Sequence, residues 1–278
     1  MKFAFFGTPY VARDTLAILL QNDLVPKVVI TNPDAPRGRG HELTPCETKV
    51  FAQEKGLPVL TPAKITPEVI DKIKSLGCDY ALVVAYGKIL PEALINIFPK
   101  GVLNVHYSLL PKYRGASPVE SALLCGETTT GVTIQKMVHE LDAGDIVATK
   151  ETDILPTETT KELRPRLVTL GAQLLVETLP AFLSGEIVPV AQDHTAATHF
   201  GKIKKEEGKL DLSAPDKKNW NKYRAYAEGP GTYFFTEKDG NRIRVKITSA
   251  HLTDSDTFEI LRIIPEGKKE MNYSAFTQ

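Results

Sequence analysis

Cysteine is scarce in this chain of 278 residues. Its three cysteines, Cys46, Cys78 and Cys125, lie far apart in the sequence, and their number is odd. This pattern argues against a disulfide framework and against a compact zinc site, because both need paired or closely spaced cysteines. We therefore expect reduced thiols and a cytoplasmic location.

Long apolar runs and an excess of one charge are also missing. No stretch approaches the roughly 18 apolar residues of a membrane-spanning helix, and the apolar run at the N-terminus is too short for a signal peptide. Lysine plus arginine and aspartate plus glutamate both number 34, so the formal net charge at pH 7 is zero. We expect no membrane partner, and the overall charge gives no reason to expect nucleic-acid binding. Residues 201–278 carry a mild excess of 15 basic over 12 acidic side chains.

The motifs that hold nucleotide phosphates or catalytic metals are absent as well. The turn after the first apolar run, Gly7-Thr8-Pro9, lacks the second and third glycines of the dinucleotide fingerprint, and no G-x-x-x-x-G-K-[ST] occurs. The zinc-binding motif H-E-x-x-H of metalloproteases is not present, and neither is the H-x-E motif paired with C-x-x-C that binds zinc in deaminases. A nucleotide-cofactor oxidoreductase, a P-loop enzyme and a catalytic metal are therefore disfavoured.

Apolar strands alternate with amphipathic helices over the first 180 residues. Strands are predicted over residues 2–6, 25–31, 80–85, 102–106, 130–138 and 145–152. Helices are predicted over residues 10–21, 48–55, 67–76, 91–97, 118–125 and 160–183. Residues 32–45, with three prolines and two glycines, are predicted to be a loop. The alternation predicts an α/β fold with right-handed βαβ units and a doubly wound, mainly parallel sheet, which binds ligands at the carboxyl ends of its strands.

The composition changes after residue 198. Residues 203–209 are a charged linker, and residues 215–228 are predicted to form a helix that carries the only tryptophan, Trp220. Short runs over 233–235, 242–251 and 258–264 alternate like the strands of a small barrel. We expect a catalytic domain over residues 1–183, a linker over 184–208 and a small β-barrel over 209–278.

The most informative segment begins at Asn104. Asn104 and His106 follow the apolar pair Val102-Leu103, and a spacing of two places both side chains on one face of a strand. An ordered loop rich in proline and glycine follows, and farther on comes an acidic, glycine-containing turn with Asp142. Amide, imidazole and carboxylate are the groups that acyl transfer to an amine needs.

Two residues near this segment invite a different interpretation. His139 lies close to Asp142 in the sequence and competes with His106, although a solvent-facing turn residue is favoured for it. Ser108 could be a nucleophile, but it lacks the G-x-S-x-G elbow. A serine that caps the turn before Leu-Leu-Pro is the preferred interpretation.

Two further segments leave their alternatives open. The Arg37-Gly-Arg39-Gly loop is either a solvated surface loop or a contact to phosphate or an RNA backbone. Residues 83–91 form the end of a buried strand and the apolar loop that follows it. This loop either packs in the core or forms one wall of a binding slot for a flat heterocycle.

Taken in chain order, these motifs resemble the methionyl-tRNA formyltransferase family. The Asn-x-His and Asp pattern is similar to that of all enzymes that move a formyl group from 10-formyltetrahydrofolate to an amine. The Ser-Leu-Leu-Pro loop narrows the resemblance to the tRNA enzymes and their close relatives. The resembling segments run through nearly the whole chain: residues 7–9, 33–40, 83–91, 104–116, 130–134, 141–145, 202–207 and 265–271.

The resemblance implies a Rossmann-like formyltransferase domain, an OB-like C-terminal barrel that contributes to tRNA binding, and a role for each matched residue. Asn104, His106 and Asp142 would be catalytic. The folate would lie against two loops, whose members are Ser108, Leu109, Leu110, Pro111, Tyr86, Gly87, Ile89 and Leu90, and the loop over residues 139–145 would also flank its pterin. Arg37 and Arg39 would contact the tRNA. The implied partners are 10-formyltetrahydrofolate, its product tetrahydrofolate and initiator methionyl-tRNA, with no metal, and the implied enzyme is a monomer.

The chain departs from the family pattern in two places. His41 and Glu42 stand where basic residues are expected after the arginine loop, and the C-terminal barrel is shortened. The main alternative is therefore a formyltransferase that acts on an amino sugar or another small amine. A non-catalytic RNA- or folate-binding protein is the alternative from another class, and the intact Asn104, His106 and Asp142 disfavour it.

Overall fold

The computed structural model describes residues 1–37, 42–238 and 240–277 and divides into two compact units. The first unit contains residues 1–114, 131–151 and 165–198. The second contains residues 115–130, 152–164 and 199–278, apart from the undescribed positions. The domain limits predicted from the sequence, with a linker over residues 184–208, stay a prediction.

Fifteen strands occur among the described residues. They are β1 (Phe3–Gly7), β2 (Val28–Ile30), β3 (Ala35–Arg37), β4 (Glu42–Thr44), β5 (Val59–Leu60), β6 (Tyr80–Val84), β7 (Val102–His106), β8 (Arg114–Gly115), β9 (Thr129–Lys136), β10 (Ile146–Asp153), β11 (His199–Phe200), β12 (Thr232–Lys238), β13 (Asn241–Leu252), β14 (Phe258–Pro265) and β15 (Met271–Asn272). The α-helices are α1 (Tyr10–Gln21), α2 (Glu47–Glu54), α3 (Pro67–Ser75), α4 (Glu92–Ile95), α5 (Pro118–Leu124), α6 (Thr160–Ser184), α7 (Asp216–Ala225) and α8 (Tyr273–Phe276).

A seven-stranded sheet in the order β10-β9-β7-β6-β1-β2-β5 organises the first unit. The pairs β1–β2, β1–β6, β2–β5 and β6–β7 are parallel, and β7–β9 is antiparallel. All five residues of β1 and all five of β6 are buried, as expected for the central strands of a sheet covered on both faces. The predicted α/β fold with a mainly parallel sheet is confirmed.

The strand order reverses its direction of growth between β1 and β6, which places a crevice at their carboxyl ends. Gly7 ends β1 here. A Cβ added to Gly7 would lie 2.4 Å from the Cβ of Ala12, so only glycine lets α1 pack this closely on the sheet. The glycine turn therefore serves the sheet architecture, in agreement with the missing phosphate fingerprint.

Helix α6 packs on the sheet at a glycine. A Cβ at Gly171 would lie 2.8 Å from Cγ1 of Val105 on β7 and 3.0 Å from Cγ1 of Val132 on β9. By length and composition α6 is long and apolar enough to cross a membrane, which differs from the expectation that no stretch would be. Half of its most apolar window is buried inside the protein, as in the core helix of a globular domain.

The second unit contains a four-stranded antiparallel sheet in the order β12-β13-β14-β15. Phe234, Val245, Ile247 and Ile263 are buried on one face and form a separate small core with Leu210. Where the sequence predicted a shortened barrel, the structure therefore has this four-stranded sheet. The tight turn predicted before β14 is present, with the Thr253 amide donating to the Thr257 carbonyl.

Several short elements differ from the sequence prediction. The predicted loop over residues 32–45 contains an antiparallel hairpin, β3 with β4, whose tip at residues 38–41 lies outside the described residues. The two-residue strands β5, β8, β11 and β15 were not predicted. A strand of two or three residues is too short to show a periodic pattern, and its pairing partner decides whether it forms.

We predict that Gly171→Ala destabilises the protein. The substitution gains about 1 kcal/mol of helix propensity, but the new methyl group overlaps two valine side chains on buried strands, and such overpacking costs about 1–3 kcal/mol. The midpoint of thermal unfolding should fall. Thr169→Ala, at an exposed position two residues earlier in α6, is the control and should leave the midpoint unchanged or raise it. A stabilised Gly171→Ala variant would contradict the close packing.

Candidate active site

The polar side chains of the site come from the antiparallel pair β7–β9. In its register Asn104 lies opposite Gln135, and His106 lies opposite Thr133. Residues directly opposite each other on paired strands share one face of the sheet, and so do residues two apart on one strand. The four side chains therefore project from a single face beside the carboxyl end of β6.

His106 is 5 % exposed, and its two ring nitrogens have different surroundings. Nε2 lies 2.8 Å from the carbonyl oxygen of Tyr113. A carbonyl only accepts, so Nε2 carries a proton and donates it. Nδ1 lies 3.7 Å from Oδ2 of Asp142, which is close enough for charge interaction but too long for a hydrogen bond. The Nδ1 edge is thus the edge that faces the carboxylate.

Asp142 joins the group from the loop between β9 and β10. Its Oδ1 accepts a hydrogen bond of 2.9 Å from Nε2 of Gln135, so the carboxylate has one oxygen toward Gln135 and the other toward His106. The backbone of Asp142 has a φ of +50°, a conformation that is costly for a residue with a side chain. Tyr113 and Ala85, at the ends of two other loops of the site, have φ values of +62° and +46°.

The Asn104 side chain and the Gln135 side-chain oxygen face each other across the strand pair, and neither has a hydrogen bond within the described residues. The side chain of Asn104 is half-buried, and within the described residues it has no hydrogen bond. Opposite it, Oε1 of Gln135 is buried and has no hydrogen-bond partner in the part of the chain that the structure describes. A buried polar atom without a partner is costly, and such atoms in native proteins often mark a place where a ligand or a neighbouring group completes the bonding.

The loop over Ser108–Pro111 is fixed by hydrogen bonds at both ends. The Ser108 hydroxyl donates to the Lys112 carbonyl at 2.7 Å, which closes the turn as the sequence suggested. Thr133 donates to the Ser108 carbonyl at 2.7 Å and accepts from the Leu110 amide at 3.1 Å. Ser108 is fully buried, which agrees with a structural role for its hydroxyl rather than a nucleophilic one.

The loop after β6 presents backbone and one apolar side chain. The Tyr86 carbonyl accepts hydrogen bonds of 3.0 Å from the Thr8 hydroxyl and from the Asn32 amide. The Tyr86 ring itself packs in the core edge-on to Phe6, and burial raises its pKa to about 12. Leu90 is also in this core, whereas Gly87 and Ile89 are exposed. Any contribution of Tyr86 to a ligand site therefore comes from its backbone.

A second network binds the backbone around Asp142. Gln192 donates from Nε2 to the carbonyls of Asp142 and Gly144, at 2.9 and 2.7 Å. Arg114, which is 1 % exposed, donates to Oε1 of Gln192. The loop between β9 and β10 is closed at its base, which we call its neck, where Gly144 lies against Lys136. A Cβ at Gly144 would lie 1.8 Å from the Lys136 carbonyl oxygen, so this position requires glycine.

The structure brings some predicted residues together and leaves others apart. Asn104, His106 and Asp142 lie together, and the two predicted folate loops end the neighbouring strands β6 and β7. His139 is exposed, as expected for a turn residue. Arg37 ends β3, and Arg39 lies outside the described residues.

Four residues of the site were missed from the sequence: Thr133, Gln135, Arg114 and Gln192. Thr133 and Gln135 show a weak signal, since polar residues alternate with apolar ones in a buried strand. Gln192 shows none, because it lies far along the chain in a segment predicted to be a linker. Within the described residues, no group of three His, Cys, Asp or Glu side chains could hold a metal ion.

Comparisons with known proteins identify the family of the chain. A family model described as formyl transferase matches residues 1–179, and one described as the C-terminal domain of formyl transferase matches residues 202–259. The methionyl-tRNA formyltransferase of Geotalea daltonii is 42 % identical over 246 residues, which cover 88 % of this chain and 78 % of that protein. The methionyl-tRNA formyltransferase of Thermotoga neapolitana is 42 % identical over 260 residues, which cover 93 % and 82 %.

Two solved structures share the fold at low sequence identity. The methionyl-tRNA formyltransferase from Clostridium thermocellum aligns with a TM-score of 0.62 at 17 % identity, over 98 % of this chain and 100 % of that one. The N-formyltransferase from Helicobacter canadensis, in complex with folinic acid and dTDP-3-aminofucose, aligns with a TM-score of 0.64 at 18 % identity, over 98 % and 100 %. These two show the fold alone. With relatives above 40 % identity over most of its length, and matches to both domains, the chain belongs to the methionyl-tRNA formyltransferase family.

Proposed function

We propose that this protein transfers the formyl group of 10-formyltetrahydrofolate to the α-amine of initiator methionyl-tRNA, with Asn104, His106 and Asp142 as its catalytic residues. The observation that supports the assignment most directly is the geometry of His106. Its ring lies between the Tyr113 carbonyl and the Asp142 carboxylate, beside an Asn104 amide that no described residue engages.

Asn104 and His106 stabilise the charge that develops on the formyl oxygen during attack by the amine. Asn104 offers an N–H group from a half-buried position on a rigid strand, so little reorganisation is needed. Because Nε2 of His106 is used by Tyr113, Nδ1 is the nitrogen that donates to the reacting group. With both nitrogens protonated, the ring donates to one acceptor on each side and carries the positive charge that opposes the developing negative charge.

Asp142 keeps His106 in this orientation and removes the proton that the amine loses. Its Oδ2 faces Nδ1, and its Oδ1 is bound to Gln135, so the carboxylate cannot rotate freely. The negative charge of the carboxylate thus lies on the side of the ring from which Nδ1 donates. The amine proton passes to Asp142 through a water; the bond between the formyl carbon and N10 of the folate then breaks, and N10 takes up a proton as tetrahydrofolate leaves.

The residues present fit a folate ligand. The loops after β6 and β7 are neighbours at the crevice where parallel sheets bind ligands. They combine exposed apolar surface at Ile89 and half-buried Leu109 with backbone groups held by Thr8, Asn32 and Thr133. This combination suits a flat heterocycle, which needs apolar walls and a few oriented polar contacts. When bound, 10-formyltetrahydrofolate supplies the formyl carbon, and the protein supplies position and electric field.

The C-terminal sheet offers a surface for tRNA. The face of β12 and β13 opposite the small core carries the exposed residues Arg242, Arg244 and Lys246. Arg244 lies over the ring of Tyr233 at 3.7 Å, and Arg242 lies over Phe235 at 4.4 Å. Cations interleaved with aromatic rings on an open sheet are typical of RNA-binding surfaces, where they contact phosphates and bases. This surface favours tRNA over a small amine as the acceptor, and Arg37 and Arg39 remain predicted contacts.

Replacing the catalytic donors should abolish most of the activity. We expect Asn104→Ala and His106→Ala each to lower kcat by about 10²–10³, the typical cost of removing one oxyanion donor. The assay is formylation of charged initiator tRNA with 10-formyltetrahydrofolate, with amino sugars tested in parallel as acceptors. His139→Ala removes an exposed histidine of the same loop region and is the control. Near-normal turnover in either variant would overturn the catalytic role of the residue that it lacks. If the protein formylates amino sugars but not charged tRNA, it is instead a formyltransferase for small amines.

Thr133→Val should weaken folate binding. The change keeps the shape of the side chain but leaves the Leu110 amide and the Ser108 carbonyl without their partner, which loosens the loop. We expect the Kd for folate to rise about tenfold, equivalent to about 1.4 kcal/mol. Thr149→Val, at an exposed position on β10, is the matched control. Equal folate affinity in the two variants would argue against the predicted loop contact.

Removing two arginines from the basic face should weaken tRNA binding in a salt-dependent way. For the double variant Arg242→Ala/Arg244→Ala, the slope of log K against log salt should become less steep by about one for each phosphate that the protein no longer neutralises. The double variant Lys268→Ala/Lys269→Ala removes the same charge from an exposed turn of the same unit. If both double variants bind tRNA alike, this face is not the RNA-binding surface.

A further inference from the structure

Asp142 has a backbone conformation that must be imposed by its surroundings. Its φ of +50° is unfavourable for a residue other than glycine, so it persists where neighbouring bonds determine it. The Gln135 contact reaches the carboxylate of Asp142. Two bonds to the backbone of the loop come from Gln192, which donates to the carbonyls of Asp142 and Gly144.

Gln192 reaches this loop from a segment far along the chain. It is 6 % exposed, and both of its Nε2 protons are used, one on the Asp142 carbonyl and one on the Gly144 carbonyl. These two bonds span the residue that carries the catalytic carboxylate. Their loss would release the strained backbone and displace the carboxylate from Nδ1 of His106.

Arg114 in turn sets the orientation of Gln192. Its Nε and one terminal nitrogen donate to Oε1 of Gln192 at 3.2 and 2.7 Å, and the same terminal nitrogen donates to Nδ1 of His194 at 3.1 Å. A glutamine amide can turn either its oxygen or its nitrogen toward a neighbour. The two arginine N–H groups are donors, so they can bond only to the amide oxygen. The Nε2 group is therefore directed to the loop carbonyls.

We propose that Gln192, oriented by the buried Arg114, is a positioning residue for catalysis that holds Asp142 in the strained conformation needed to face His106. The proposal rests on the function proposed above and extends it to a residue outside the catalytic motifs. Gln192 acts through the backbone of Asp142, whose carbonyl accepts one of its two hydrogen bonds.

Two substitutions separate positioning from stability. Gln192→Glu keeps the acceptor and gives Arg114 a charged partner, so the protein should stay as stable as the parent. It also removes the N–H donors and turns a carboxylate oxygen toward two carbonyls. Gln192→Met removes both functions at similar volume. We expect kcat to fall about 10- to 100-fold in both variants, as a catalytic group displaced by about 1 Å would cause, while the KM for each substrate stays within threefold.

The controls distinguish this proposal from the function on which it rests. Gln173→Glu makes the same change at an exposed position of α6 and should behave as the parent. Asp142→Asn tests the catalytic role itself: parental activity in that variant would overturn the catalytic role proposed for Asp142, whereas lost activity there with parental activity in the Gln192 variants would overturn only the role of Gln192.

Hydrogen–deuterium exchange of the peptide over residues 139–146 gives a readout independent of activity. It should speed up in both Gln192 variants and not in Gln173→Glu. A Gln192→Glu protein with parental stability and either unchanged exchange in this peptide or a kcat within threefold of the parent would overturn the proposal.

Discussion

The antiparallel pairing of β7 with β9 is the constraint on which the rest of the site depends. A wholly parallel sheet would bring the next strand alongside β7 in the same direction and would align a different set of side chains. The antiparallel register instead places Gln135 opposite Asn104 and Thr133 opposite His106. One pairing thus brings together the oxyanion donors, the residue that binds the Asp142 carboxylate and the residue that fixes the Ser108–Pro111 loop.

Hydrogen bonding, rather than apolar packing, determines the shape of the three loops. Each has a residue with positive φ, namely Ala85, Tyr113 and Asp142, and each is restrained by side chains from another part of the chain. Thr8 and Asn32 hold the first loop through the Tyr86 carbonyl, Thr198 accepts from the Tyr113 amide, and Gln192 holds the third. The unfavourable free energy of these conformations is offset by buried hydrogen bonds.

The sequence was sufficient where a pattern is repeated or a motif is local. The helix over residues 10–21 and the strand over 102–106 were predicted with the limits that the structure has, because their apolar spacing is regular and turn residues bound them. Asn104 and His106 could be placed on one face from their spacing alone. Gln192 could not be found in this way, since its role depends on a contact 50 residues away in sequence that leaves no local trace. For Tyr86, the sequence motif predicted a place in a folate-binding loop but could not show that its ring packs in the hydrophobic core.

The neck at Gly144 has an evolutionary consequence. The Lys136 amide donates to the Asp145 carbonyl, and Gly144 lies against the Lys136 carbonyl, so the chain leaves β9 and returns to it at nearly the same point. The residues between, Val138 to Leu141, are exposed at the tip. Mutation can alter or lengthen this tip while the neck keeps Asp142 in register. The fold therefore separates an exposed tip, which tolerates changes in sequence and length, from the residues that fix the backbone at Asp142.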